Sequence, residues 1–243
     1  MTRRLWLGSL AAALVLAGCT VPVAGVPAAD TGSAATSTPA ATSATGSPST
    51  NGPLIVKPLV TGWNTVRSTK RAALYDVPPA WTVKSEDSIV GYQTNDGKLL
   101  VAASGSASVG DDACGKYTSL ALSAVKHSEG SNLTQASTVE AQAWADAAFR
   151  DSNDQRPALR TEKAEKVTTL TGKPAVIVKV DATAPNPIGN CGTKGAAYAL
   201  SATGFTGQFG PTAILVVVAN VGTDGAIPES EIKQILTTLR PEQ

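Results

Sequence analysis

From residue 54 onward, apolar residues fall in short runs broken by turn-forming ones. Trp63 to Val66 and Ala72 to Val77 are partly alternating runs on either side of the polar Arg67-Ser68-Thr69-Lys70-Arg71. That pattern predicts a β-hairpin or two adjacent strands. Pro78 and Pro79 stop the second run, because proline has no amide for a ladder. Trp81 follows at once and is expected to cover one end of the core. Ile89 to Gln93 and Leu99 to Ala103 flank Asn95-Asp96-Gly97, a hairpin signal because Asn and Gly tolerate positive φ. Gly105 to Asp112, small and polar, reads as a loop leading to Cys114. Tyr117 to Val125 fits neither period well and is assigned to a strand.

Ser137-Thr138-Val139-Glu140 has capping-box spacing, and Val139, Ala143 and Ala147, with Trp144 and Ala148 beside them, make an apolar stripe. Together they predict a helix from about Ser137 to Arg150, its alanines allowing close approach to a sheet. Asp151 to Arg160 is polar and turn-rich. Lys163 to Leu170 and Ala175 to Ala182 read as strands around the turn Thr171-Gly172-Lys173-Pro174. Val176, Val178 and Val180 face one way and Ile177 the other. Pro185 to Gly192 is a loop that holds Cys191. Ala196 to Thr203 and Thr212 to Ala219 are the last strands, and the run Ile214 to Val218, apolar on both faces, belongs at a sheet centre.

Pro228 suits a first helical turn, with Glu229 and Glu231 near the positive end of the dipole. Ile232, Ile235, Leu236 and Leu239 recur at helical spacing, and Arg240-Pro241 ends the helix. Many strands and two helices make the fold class α+β. No internal repeat is evident.

The N-terminus follows a different logic. Arg3 and Arg4 precede an apolar run, Leu5 to Leu16, that is shorter than the roughly 20 residues a spanning helix needs. Residues 1–18 therefore read as a cleaved export signal. Its end, Leu16-Ala17-Gly18-Cys19, matches the bacterial lipobox. The match implies a diacylglyceryl thioether on Cys19, cleavage before it, and a protein held by lipid on the outer face of the cell membrane. Two acyl chains anchor stably where one does not. From Asp30 to Gly52, 21 of 23 residues are Ala, Ser, Thr, Gly or Pro. Such a stretch cannot bury enough apolar surface to offset its ordering entropy. Residues 19–53 are thus expected to form the lipidated cysteine and a disordered spacer. The remaining residues, 54–243, suit a single extracytoplasmic domain.

Charge narrows the partners. The chain has 20 basic and 19 acidic residues, and without Arg3, Arg4 and Asp30 the domain has 18 of each. No basic footprint for nucleic acid is present. With Cys19 assigned to lipid, Cys114 and Cys191 remain, an even pair in an exported chain, and a disulfide between them is expected. Two free buried thiols or a metal site are the alternatives, but the lone histidine, His127, and the absence of a Cys-x-x-Cys pair argue against metal.

Candidate chemistry is sparse. No Gly-x-Ser-x-Gly elbow and no phosphate-cradling loop occurs. His127, in the polar stretch Lys126 to Glu129, reads as a solvated side chain. Asp111-Asp112 and Glu86-Asp87 could pair for acid–base work, yet in polar loops they read as solvated turn residues. Gly204 to Gly210 carries Phe205 and Phe209 on a glycine-rich loop, either a ligand lip or a hairpin tip anchored by its phenylalanines. No catalytic residue, cofactor or metal is assigned.

The stretch Tyr75-Asp76-Val77-Pro78-Pro79-Ala80-Trp81 is the most distinctive in the domain. A strand ending in Val-Pro-x-x-Trp, later strands, and a closing helix running into Leu239-Arg240-Pro241 resemble PsbP-like domains. Actinobacterial lipoproteins of the LpqN type share that fold. Ala80 stands where those domains commonly have Gly. The resemblance implies an antiparallel sheet flanked by helices, an α-β-α sandwich, and carries over no catalytic residue.

Three functions compete at this level. The first is a lipid-anchored binding or accessory module that contacts an envelope protein, glycan or lipid. The second is a carrier with a small-ligand or lipid pocket between sheet and helix. The third is a carboxylate-type hydrolase.

Overall fold

The computed structural model describes residues 56–116, 118–130, 132–205 and 210–242, all within the unit Gly52–Gln243. The signal, Cys19, the spacer, Tyr117 and residues 206–209 with Phe209 lie outside the described residues. The chain begins with β1 (Asn64–Ser68), a single 3₁₀ turn and β2 (Ala73–Val77), then a short β3 (Thr82–Val83). The hairpin β4 (Ile89–Gln93) and β5 (Leu99–Val109) follows, then β6 (Ala121–Ser128) and the helix α1 (Leu133–Ala148). Four antiparallel partners come next: β7 (Ala158–Thr161), β8 (Glu165–Thr168), β9 (Pro174–Thr183) and β10 (Lys194–Thr203). The chain closes with β11 (Thr212–Asn220), the helix α2 (Glu229–Thr237) and β12 (Arg240–Pro241). The fold is α+β, with antiparallel pairing throughout and no helix among the described residues long and apolar enough to cross a membrane.

Nine strands form one sheet in the order β3-β5-β6-β11-β10-β9-β7, with β4 also on β5 and β8 also on β9. β11 lies at its centre, and all nine of its residues are buried, as the two-sided apolar run requires. Val176, Val178 and Val180 pack under α1 with Ala141, Trp144 and Ala145. Ile177 joins the opposite core, where α2 contributes Ile232, Ile235 and Leu236 and β2 contributes Tyr75 and Val77. One helix therefore covers one face of the large sheet. The other helix and the small sheet β1-β2-β12 cover the other face. Trp81 seals that second core as expected.

Four expectations need correcting. Residues Gly105 to Val109 continue β5 instead of forming a loop. Ser104 pairs with Val125 but Ala107 pairs with Ser123, so the strand holds one surplus residue there, a β-bulge. Gly105 sits at it with φ of 60°, and a Cβ there would come within 2.4 Å of the Ser68 Cβ. Small residues thus mark a tightly covered strand, not a turn.

The helix α1 starts four residues before Ser137. Asn132 is its cap, accepting from the Gln135 amide at 3.1 Å, so Ser137-x-x-Glu140 is no capping box. Ser137 is buried in the helix, donating to the Val176 carbonyl at 2.8 Å and meeting the Ser201 hydroxyl at 2.7 Å. The buried face runs through Ala136, Ala141, Trp144 and Ala145, while Val139 is 55 % exposed. The expected stripe was rotated because it took Val139 as an inward residue.

His127 is not solvated either. It is half-buried against Phe205, ring centroids 6.1 Å apart, with its ring nitrogens buried near the Arg71 backbone. Lastly, Arg240-Pro241 does more than end a helix: it pairs with Leu74 and Ala73 as β12.

Candidate functional site

Antiparallel register places Ser108 opposite Leu122, Leu122 opposite Val218, and Val218 opposite Ala197. Paired residues share a face, so Ser108, Leu122 and Val218 form a row on the α1 side. Were all the residues of β5 to alternate regularly with no bulge, the count from Val101 and Ala103 would place Ser108 on the other side. α1 ends before it reaches this row. Phe149, its C-cap, lies on Gly195, where a Cβ would come within 1.9 Å of the ring. α1 therefore does not cover this row, which lies next to Ala148 and Phe149.

The result is a cleft of about 620 Å³. Its floor is Leu122 and Val218, and Val90 and Tyr92 of β4 form a second wall. Tyr92 is backed by Trp144, edge to face at 5.9 Å. Ile188, Thr118 and Ser119 come from two loops that the disulfide joins. Cys114 and Cys191 form that bridge as expected, with Cα atoms 4.9 Å apart and both residues buried. The Asn190 amide also donates to the Cys114 carbonyl at 2.9 Å. Behind Ile188, the Asn186 side chain donates to Asp151 at 2.6 Å, which holds the Asp151 carboxyl below the usual range.

The polar end of the cleft is organised by Asp111. It accepts from Lys84 at 2.6 Å and from Ser119 at 2.8 Å. These bonds, Lys84 first, with Ser108 near enough to contribute, hold its carboxyl down at about 2. A carboxyl so acidic carries no proton to donate at neutral pH. Ser108 is only 1 % exposed, and its hydroxyl lies beside the Asp111 carboxylate. Asn220 is fixed by donating its side-chain amide to the Ser119 carbonyl at 3.0 Å. Burial pushes the Tyr92 hydroxyl up to about 12, so it stays a neutral phenol.

The expected candidates distribute unevenly over this geometry. Asp111 and Asp112 both line the cleft, and Glu86 instead pairs with Arg67 at 3.4 Å on the surface. His127 lies at the other core, where burial first and the charge of Arg71 second push its imidazole below the usual range. Phe205 is a core anchor. Among the described residues no three His, Cys, Asp or Glu side chains group as metal ligands. Tyr92, Ser108, Leu122, Phe149, Ile188 and Val218 are not among the site candidates that the sequence offers. The one signal for them was the pair of Asp111 and Cys114 closing the Gly/Ser-rich segment.

A family model described as Domain of unknown function (DUF8017) matches residues 56–243, which is most of the chain. No curated protein matches it.

Proposed function

The chain belongs to the DUF8017 family, and from that premise we propose a lipid-anchored, extracytoplasmic module of the cell envelope that binds a small ligand between α1 and the large sheet. The observation that carries this reading is the cleft, whose volume lies in the ~300–1,000 Å³ range of small-molecule sites. An apolar floor with a few placed polar groups is what such sites use. The anchor rests on Leu16-Ala17-Gly18-Cys19 and agrees with a cystine that needs an oxidising compartment. The finer fold we propose is the PsbP-like α-β-α sandwich, supported by helices on opposite faces of one antiparallel sheet.

Of the three functions, the cleft moves the carrier ahead of a module that docks only a protein or glycan partner. The hydrolase reading loses ground because Asp111 is tied to Lys84.

Leu122→Trp fills the floor and supplies the test. Protein purified from membranes is analysed by native mass spectrometry, wild type against variant. A bound non-protein mass that only the wild type carries is expected; identical spectra from a folded variant would count against the site. The same spectra test the anchor, because a mature chain starting at Cys19 should carry acyl mass, and an unmodified one would remove the membrane assignment.

A further inference from the structure

Resting on the cleft reading above, we propose that the occupant is an uncharged single-chain amphiphile with a hydroxyl-bearing head. Its chain lies over Leu122 and Val218 toward Tyr92, and its head sits at the Ser108 end.

Three observations carry this. The first is the mixed lining of the cleft. Val90, Tyr92, Ala148 and Phe149 are apolar or aromatic, while Lys84, Ser108 and Ser119 gather around Asp111 as one polar group. A ligand that matches it has one apolar and one polar end. Burying each methylene contributes about 0.8 kcal/mol, so a chain is the part that gains from the floor.

The second is charge. The rim cation, Lys84, is already closed on Asp111 at 2.6 Å. An anionic head would meet the carboxylates of Asp111 and Asp112 with that lysine taken, and a cationic head would have to displace Lys84. An uncharged head meets neither of these encounters, which at this partly exposed pair are matters of like-charge contact and competition rather than of buried charge.

The third is Ser108. Its buried hydroxyl lies beside the Asp111 carboxylate without a well-formed bond to it, and a ligand hydroxyl can both donate to it and accept from it. The bulge absorbs the surplus residue of β5, so Ser108 keeps its place on the cleft row opposite Leu122.

The experiment uses the full chain carrying Cys19→Ser, so that no attached lipid competes. Three probes with the same ten-carbon chain are titrated below their micellar concentrations: 1-monodecanoylglycerol, decanoate and decyltrimethylammonium. Binding is followed by NMR at the methyls of Leu122, Ile188 and Val218. The glycerol ester should bind at least tenfold more tightly than either charged probe. Ser108→Ala should weaken the ester three- to tenfold, and Leu122→Trp or Ile188→Trp should abolish its shifts. Charged probes binding as tightly as the ester would overturn the uncharged head while leaving the cleft reading intact. An ester affinity unchanged by Ser108→Ala would overturn the placement of the head. No shifts from any probe would overturn the amphiphile, and the native-mass comparison then decides the cleft reading separately.

Discussion

Arg240 donates from Nη2 to Asp76 Oδ1 at 2.9 Å, and both side chains are buried between β2 and β12. Asp76 also accepts from the Leu59 amide at 2.6 Å and the Thr65 hydroxyl at 2.9 Å. Four segments, the entry strap at Leu59, β1, β2 and β12, thus meet at one carboxylate. A buried pair of this kind need not out-stabilise an apolar replacement of both partners. Removing one partner is a different matter, because it strands the other.

Arg240→Met should therefore destabilise the domain by about 3–5 kcal/mol, since it leaves Asp76 buried without its cation. Urea denaturation followed by circular dichroism measures this. A change under about 1 kcal/mol would mean that water replaces the guanidinium, and the pair would lose its assigned weight.

The Cys114–Cys191 bridge spans 77 positions of sequence. Replacing both residues by alanine should cost about 2–5 kcal/mol, chiefly by freeing the unfolded chain. Because the bridge joins the Ser119 loop to the Ile188 loop, the cleft methyls should also broaden in NMR. Thermal melts of the double variant, and alkylation of the unreduced denatured protein, check the two halves of this claim.

His127 makes stability depend on acid. Burial lowers its folded pKa below the ordinary imidazole value of about 6.5, so the fold favours the neutral ring. The sign follows: this contribution is complete above about pH 6.5 and is lost as the pH falls from there through the folded value. His127→Gln should flatten that part of the stability curve. Unfolding free energies at pH 7.5, 6.5 and 5.5 for both proteins should converge toward the acid side; parallel curves would exclude the histidine as the cause.

Gly195 is the seat of the Phe149 ring. Gly195→Ala adds a methyl where the ring lies and should cost about 1–3 kcal/mol through overpacking. Displaced from its seat, Phe149 should also disturb the cleft wall. Ring-proton shifts of Phe149 and ester affinity are the readouts, and an unmoved ring with full stability would show that the sheet yields instead.

The large sheet was legible in the sequence because its strands obey simple alternation or are apolar on both faces. Val176, Val178 and Val180 against Ile177, and the run at Ile214 to Val218, left little choice of face. The amphipathic α2 was equally plain. What failed were places where a small residue answers to its surroundings instead of to local propensity. Ser137 resembled a cap because serine caps helices, yet its hydroxyl satisfies the Val176 carbonyl and meets the Ser201 hydroxyl across the core. Gly105 and its serines resembled a loop because they lack bulk, but β1 packs too closely there for bulk. Of the cleft, little beyond Asp111 and Asp112 was legible. Its residues come from β4, β5, β6, β11, the end of α1 and two loops, and only the pairing register brings them together.

The surplus residue in β5 also sets how this chain can change length. Deleting Gly105 would restore simple alternation: Ala103 and Ser108 would each keep their side of the sheet, and the strand would lose only its bend and the Tyr75 bond to the Gly105 carbonyl. Deleting Ala103 instead would invert every upstream position, carrying Val101 out of the α1 core. Neighbouring single-residue losses in one strand thus have opposite fates, and natural variation in strand length should collect at position 105 and nowhere else along it.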